Sequence, residues 1–288
     1  IYDLSKTETV IINETYMFIP ENFTIHVIKA FDQTQIENVI TDAASVLVEC
    51  YGTLSEVFLQ LINNDRSMLK KVDSVKYKDS MGLSAVVDGK EVLIGNRQLM
   101  VKNRIEVPSS DYEKKYVKDS RNIVYLSNSG KLVAMFIISY RADEEFTAKL
   151  HDIIEEGIDL VVYTVDPNIT AEKVADTIGI PRDYVTVMPS KIHGIYQKNT
   201  QVRQKIPAKI GFVGSVSGML HTITASINIK HAISRGIFVQ LAFLVVGYCV
   251  GTFLSFMGFL SAITFVHVII FQVLAGVVIS ICTNVRKI

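Results

Sequence analysis

The stretches best suited to chemistry are short apolar runs that end in polar, turn-forming residues. The chain opens on Ile1-Tyr2-Asp3-Leu4-Ser5-Lys6-Thr7, two apolar residues running into an aspartate and a hydroxyl-rich turn. A buried parallel strand reads this way when it delivers a carboxylate to the sheet's C-terminal edge, the edge where open α/β sheets bind ligands. Asp3 is therefore the first candidate for chemistry; the plainer reading is a strand-end aspartate that satisfies backbone N–H groups of a turn. The three cysteines, Cys50, Cys249 and Cys282, lack metal-ligand spacing, and two of them lie in apolar stretches. They read as small buried hydrophobes rather than a zinc or redox site.

Composition narrows the classes. Lys+Arg and Asp+Glu are balanced at 29 each over 288 residues, which leaves no nucleic-acid footprint. A hydrophobic content of 49% and a mean hydropathy of +0.31 are high for a wholly soluble protein. The excess sits at one end: from Gly236 to Cys282 no residue is charged. At a rise of about 1.5 Å per residue, a hydrocarbon core of about 30 Å needs about 20 residues. The run therefore fits two spans, 237–256 and 260–282, hinged at Met257-Gly258. Lys230, His231 and Arg235 precede it and Arg286 and Lys287 follow, so both ends are expected in the cytoplasm. Gln240, His267 and Gln272 are the polar residues inside the spans, suited to an ion path or to helix packing.

Ahead of the membrane segment the pattern is mixed. Val10-Ile11-Ile12 and Phe23-Thr24-Ile25-His26-Val27-Ile28 are β-prone. From Asp32 to Ile62 apolar residues recur at helical spacing with a break at Tyr51-Gly52, which predicts two amphipathic helices. Asp88-Gly89, and later Asn128-Ser129-Gly130, sit between β-prone runs and predict two hairpins. Asn96 opens a short helix, and the charged stretch from Ser109 to Arg121 reads as a solvated helix or loop. Strand–helix alternation follows. It comprises a helix ending at Gly157, the run Leu160-Val161-Val162-Tyr163, a helix from Thr170 to Ile178 closed by Gly179, the run Val185-Thr186-Val187-Met188, a helix from Lys191, and Ile210-Gly211-Phe212-Val213. That rhythm predicts a doubly wound parallel α/β sheet, with the strand ending in Asp3 completing it.

A soluble strand–insert–doubly wound domain followed by a membrane hairpin resembles the catalytic half of a P-type ATPase, nearest the heavy-metal-transporting class. Ile1-Tyr2-Asp3-Leu4-Ser5-Lys6-Thr7 stands where the family has its DKTGT loop, whose aspartate takes the γ-phosphoryl group of ATP. Tyr163-Thr164-Val165-Asp166-Pro167 with Thr170-Ala171 and Ile178-Gly179-Ile180 is similar to the TGDN segment and its helix. Pro189-Ser190-Lys191 is similar to P-x-K. Asp79 to Gly95, followed by Asn96, is similar to the nucleotide-binding domain's G-x-G, hairpin and GN, and Asn284 with Arg286 to the closing N-x-R. The resemblance implies a HAD-like phosphorylation domain over 1–29 and 121–235, an α+β nucleotide-binding-like insert over 30–120, and a two-helix transmembrane hairpin over 236–288. It implies Asp3, Thr164 and Lys191 as catalytic residues and Glu56, Gly82, Gly95 and Asn96 at the nucleotide. Asp3, Ser5, Asp166 and Ser215 would lie about a Mg²⁺ ion, with ATP and Mg²⁺ as cofactors. The partners implied are the membrane and an upstream part of the same polypeptide carrying an actuator domain and further transmembrane helices.

The departures point to impaired chemistry. Phosphoryl transfer needs a nucleophile, groups that hold the phosphoryl oxygens, and Mg²⁺ held by carboxylates. In place of the GDGxND loop stands Val213-Gly214-Ser215-Val216-Ser217-Gly218-Met219, where Ser215 and Met219 replace two carboxylates. Neither suits a hard cation. The family's His-Pro is replaced by Glu56-Val57, the first Gly of G-x-G by Ser80, and Lys6 and Glu8 fall where the phosphorylation loop wants a small Gly and space for phosphate. The expectation is a pump-like scaffold, a pseudoenzyme with weakened or lost ATP hydrolysis. Two others stay open: an active divergent pump phosphorylated on Asp3, and a membrane-tethered interaction module without catalysis.

Overall fold

The computed structural model describes residues 2–31, 33–50, 52–118, 121–201 and 215–284. The chain divides into two units, one spanning Glu8–Ala208 and the other made of Ile1–Thr7 with Lys209–Ile288.

Within Glu8–Ala208 the strands are β1 (Thr9–Asn13), β2 (Phe23–Ala30), β3 (Val72–Lys78), β4 (Gly82–Val87), β5 (Lys90–Gly95), β6 (Asn122–Asn128), β7 (Lys131–Tyr140), β8 (Asp159–Tyr163) and β9 (Val185–Val187). The helices are α1 (Ile36–Val48), α2 (Thr53–Leu61), α3 (Arg97–Lys102), α4 (Ser110–Lys114), α5 (Glu144–Glu155), α6 (Ala171–Ile178) and α7 (Ser190–Gln201). Two sheets result. One is parallel, in the order β1-β8-β9; the other has six strands, β2-β7-β6-β5-β4-β3, every neighbouring pair antiparallel.

The antiparallel sheet is built by hairpins whose turns the sequence spells out. Val87 pairs with Lys90 around Asp88-Gly89 and Asn128 with Lys131 around Ser129-Gly130, and all four turn residues have positive φ. That is the primed-turn geometry which matches strand twist. Successive side chains of β7 alternate between two cores: Ala134, Phe136 and Ile138 pack with α1 and α2, and Met135 and Ile137 with α3. Burying such side chains is worth about 1.5–3 kcal/mol each, so burial on both faces fixes the register of this strand.

The insert's sheet reaches further than the expected 30–120. Phe23–Ala30 pairs along β7, and the hairpin of β6 and β7 is central to the sheet rather than part of the parallel domain. The parallel sheet is correspondingly smaller. Thr9–Asn13 pairs with Asp159–Tyr163, which pairs with Val185–Val187. Helix α6 covers it with the face Ala171, Val174, Ala175 and Ile178, starts at the Thr170 cap and stops at Gly179, where φ is +81°. The expected strand at 210–213 lies outside the described residues.

The second unit contains α8 (Val216–Phe256) and α9 (Phe265–Thr283), both long and apolar enough to cross a membrane. Gly258, with φ of +75°, falls in the connection at the expected hinge. Helix α9 starts at Phe265 rather than 260, because Leu260–Ala262 forms a 3₁₀ turn and Thr264 caps the helix.

Candidate functional site

The C-terminal edge of the parallel sheet gathers the chemistry-bearing residues. Strand β8 ends by delivering Thr164 and Asp166, both of them buried. Strand β1 ends at Asn13, followed by Glu14, which is 1% exposed. The Thr164 hydroxyl donates to Glu14 Oε2, and the Asp166 backbone N–H donates to Thr164 Oγ1 at 3.0 Å. Glu14 Oε1 accepts from the Thr53 backbone N–H at 3.2 Å, while the Thr53 hydroxyl donates to the Phe18 carbonyl at 2.6 Å. Asp166 Oδ1 accepts from the Asn168 backbone N–H at 2.8 Å. Two acids and a threonine thus form one buried network spanning β1, β8 and the start of α2.

Burial dominates its electrostatics. Desolvation, and then the charge of Asp166, push the Glu14 carboxyl well above the usual carboxylate range. Desolvation raises Asp166 too, against the opposing pull of the Asn168 N–H and the Lys173 charge. Lys173 is brought down to about 8 by burial, and its ammonium lies 4.0 Å from the centre of the Tyr140 ring.

Asp3 does not end a sheet strand. It occupies an exposed turn before a 3₁₀ helix, Leu4–Lys6, with φ −68° and ψ −35°. Ser5 is buried; its hydroxyl donates to the Tyr2 carbonyl at 2.8 Å and its own carbonyl accepts from Lys230 Nζ at 3.2 Å. A strand that does run parallel to β8 is β1, which ends at Asn13 and is followed by Glu14-Thr15. Asn13 Oδ1 accepts from the Thr15 backbone N–H at 3.0 Å, a local turn bond. The sequence signal for this was available: Val10-Ile11-Ile12 is the continuous apolar run of a buried strand. What that run lacks is a carboxylate at the strand's last position, where Asn13 stands.

The other expected residues divide. Lys191 is exposed on the first turn of α7 and lines a cleft of about 490 Å³ with Lys76, Lys78, Tyr163 and His193. Ser215 is exposed at the start of α8, its hydroxyl 3.0 Å from that of Ser217. Asp3, Ser5 and Ser215 belong to one unit of the chain and Thr164, Asp166 and Lys191 to the other. Among the described residues no group of three or more His, Cys, Asp or Glu side chains could hold a metal ion. The buried acids are already engaged within the protein: both Glu14 oxygens accept from Thr53 and Thr164, and Asp166 Oδ1 from the Asn168 N–H.

At the expected nucleotide positions, Gly82 and Gly95 face each other across β4 and β5. A Cβ on Gly82 would meet the Ile94 carbonyl at 2.1 Å, and one on Gly95 the Met81 carbonyl at 2.1 Å. Asn96 caps α3 through the Leu99 N–H at 3.2 Å, and its amide donates to the Ser80 carbonyl at 2.8 Å. Gly82, Gly95 and Asn96 thus come together around one backbone crossing. Glu56 is exposed in the first turn of α2.

A parallel sheet with a carboxylate-bearing edge, an antiparallel α+β insert and two long apolar helices are the parts that a resemblance to the catalytic half of a P-type ATPase leads one to expect. In sequence the chain is related to the heavy-metal-transporting class of these proteins. Over 155 residues it is 22% identical to the copper-exporting P-type ATPase of Staphylococcus aureus (strain Newman), a match covering 53% of this chain and 19% of that protein. Among solved structures it is similar to the catalytic domain of the CPx-ATPase CopB-B, at 11% identity and a TM-score of 0.40, covering 69% of each chain. It is also similar to a zinc-transporting PIB-type ATPase, at 13% identity and a TM-score of 0.38, covering 97% of this chain and 50% of the other. No family model matches the chain.

Proposed function

We propose that this chain is part of a membrane protein derived from the heavy-metal P-type ATPases in which phosphoryl transfer from ATP is impaired or lost. The observation that carries the reading is the residue at the end of β1. Asn13 stands where the parallel sheet would deliver its phosphoryl acceptor, and a carboxamide is no nucleophile for an acyl-phosphate. Glu14 beside it puts an acid where DKTGT has its lysine, so this edge lacks the positive charge that would hold a phosphoryl group. Ser215 and Met219, in place of the magnesium carboxylates, act in the same direction. Losing one preorganised electrostatic group typically costs on the order of 10²–10³ in rate, and several are absent.

On this reading Thr164, Asp166 and Lys191 are remnants of a HAD-like phosphoryl-transfer site, and ATP and Mg²⁺ are ancestral ligands. Helices α8 and α9 form a membrane hairpin with the soluble part and the C-terminus in the cytoplasm. An upstream segment would supply an actuator domain and the other transmembrane helices. Membranes carrying the protein, incubated with radiolabelled ATP and Mg²⁺, should yield no hydroxylamine-sensitive phosphoprotein above background. Such a species formed at ordinary pump rates, and lost in Asp3→Asn, would overturn the proposal and make Asp3 the acceptor.

A further inference from the structure

Two contacts between the insert and the parallel sheet have the same form. Glu14, at the end of β1, accepts from the Thr53 backbone N–H at 3.2 Å, the first residue of α2 in the insert. Reciprocally, Asp79, in the insert between β3 and β4, accepts from the Ser190 backbone N–H at 2.7 Å, the first residue of α7 after β9. In each case a carboxylate from one side sits on the N-terminus of a helix from the other. The free N–H groups and dipole of such a terminus favour an anion, phosphate included.

The surface around these contacts is built for closure. Gly52 leaves room for Glu14, since a Cβ there would lie 2.5 Å from Glu14 Oε1. Between the two contacts the Tyr77 ring of the insert stacks on His193 of α7, with ring centres 4.8 Å apart and planes 21° apart. His193 also packs against Tyr163 at 4.7 Å. The apolar core is continuous across the junction, running from α1, α2 and the antiparallel sheet to Tyr163, Val165 and Met188.

We infer that the insert is held closed on the parallel sheet by the protein's own carboxylates, Glu14 on the N-terminus of α2 and Asp79 on the N-terminus of α7. Side chains fill the two anion positions that would otherwise let a phosphate-bearing ligand draw the two parts together. Closure is then a property of the chain and not a response to ligand. The inference goes beyond impaired turnover: a hydrolysing pump could carry the same lock, so the two proposals fail separately.

The test is a distance measurement on the whole protein in nanodiscs. Spin labels are placed through Lys102→Cys on α3 and Asp176→Cys on α6, both exposed, with Cys249→Ser and Cys282→Ser and the buried Cys50 retained. One narrow distance is expected, unmoved by a non-hydrolysable ATP analogue. Gly52→Ala, which drives a methyl group into Glu14, and Asp79→Ala should each add a population at longer distance, while Glu14→Gln, which keeps an acceptor, should not. A broad wild-type distribution, narrowing on addition of the analogue, or an unchanged distribution in either Gly52→Ala or Asp79→Ala would overturn the lock. The wild-type arms need no variant to fold.

Discussion

The Thr164 hydroxyl donates to the Glu14 carboxylate, joining the ends of two neighbouring parallel strands that lie 150 residues apart in the chain. Glu14 also accepts the Thr53 N–H, so truncating it orphans two buried donors. Each unsatisfied buried group costs about 1–3 kcal/mol. Glu14→Ala should therefore destabilise the protein by about 2 kcal/mol or more, with a lower denaturant midpoint. Glu14→Gln keeps an acceptor for the Thr53 N–H, lets its amide donate to the Thr164 oxygen once that hydroxyl rotates, and removes a charge that burial penalises, so it should match or exceed the wild type at neutral pH. Equal losses in the two variants would mean that the charge itself stabilises the fold.

The same acids give the stability a pH dependence of defined sign. Burial raises the folded-state values of Glu14 and Asp166 above the unfolded range of about 4. Between the unfolded and folded values the native state holds more protons than the unfolded chain, so the unfolding free energy falls as pH rises. The contribution is fully present below about pH 4 and is lost as pH climbs through the folded values. Thermal midpoints measured from pH 5 to pH 8 should decline less steeply in Glu14→Gln than in the wild type. A steeper decline in the variant would reverse the sign assigned here.

Gly82 and Gly95 stand at expected nucleotide positions, yet both are needed by the backbone. Gly82 has φ of +133°, and its side-chain position is taken by the Ile94 carbonyl. A left-handed backbone costs an L-residue about 1–3 kcal/mol, and the clash adds to it. Gly82→Ala should therefore lower the unfolding midpoint with no nucleotide present. Were these glycines required for ligand approach alone, stability without ligand would be unchanged and only binding would suffer.

What the sequence made legible was local. Asp88-Gly89 and Ser129-Gly130 announce their hairpins because few residues tolerate two consecutive positive φ values. Thr170 and Gly179 mark both ends of α6 because cap chemistry is confined to a helix's own termini. What was not legible was long-range. Phe23–Ala30 is β-prone, but nothing in its own residues says that it pairs with β7, where His26 meets Ser139 across 113 positions. Glu14 gave no signal because its partners, Thr53 and Thr164, come from other segments. Asp3 follows only an apolar pair, which matches a motif, whereas pairing with β8 requires a longer apolar run, supplied by Val10-Ile11-Ile12.

Restoring a carboxylate at the strand end tests how deep the loss of chemistry goes. Asn13→Asp places an acid at the parallel-sheet edge, but Glu14 remains beside it where a lysine would be needed to hold the phosphoryl oxygens. This variant should form no phosphoprotein from ATP. A hydroxylamine-sensitive phosphoprotein in Asn13→Asp alone would show that one residue separates this chain from phosphoryl transfer.

The membrane hairpin yields the last expectation. Helix pairs in lipid associate through close packing at small residues rather than through the hydrophobic effect. At Gly236 a Cβ would lie 2.7 Å from Thr283 Cγ2, whereas at Gly251 nothing comes within 4 Å. Nearby, Phe243 and Phe271 meet edge-on with ring centres 5.5 Å apart, holding α8 against α9. Gly236→Leu should overpack the contact and weaken the hairpin by about 1–3 kcal/mol, while Gly251→Leu should be tolerated. Disulfide trapping between cysteines introduced at opposite positions of α8 and α9, in proteoliposomes, should fall in the first variant and hold in the second. Equal trapping in both would mean that Gly236 does not set the approach of the two helices.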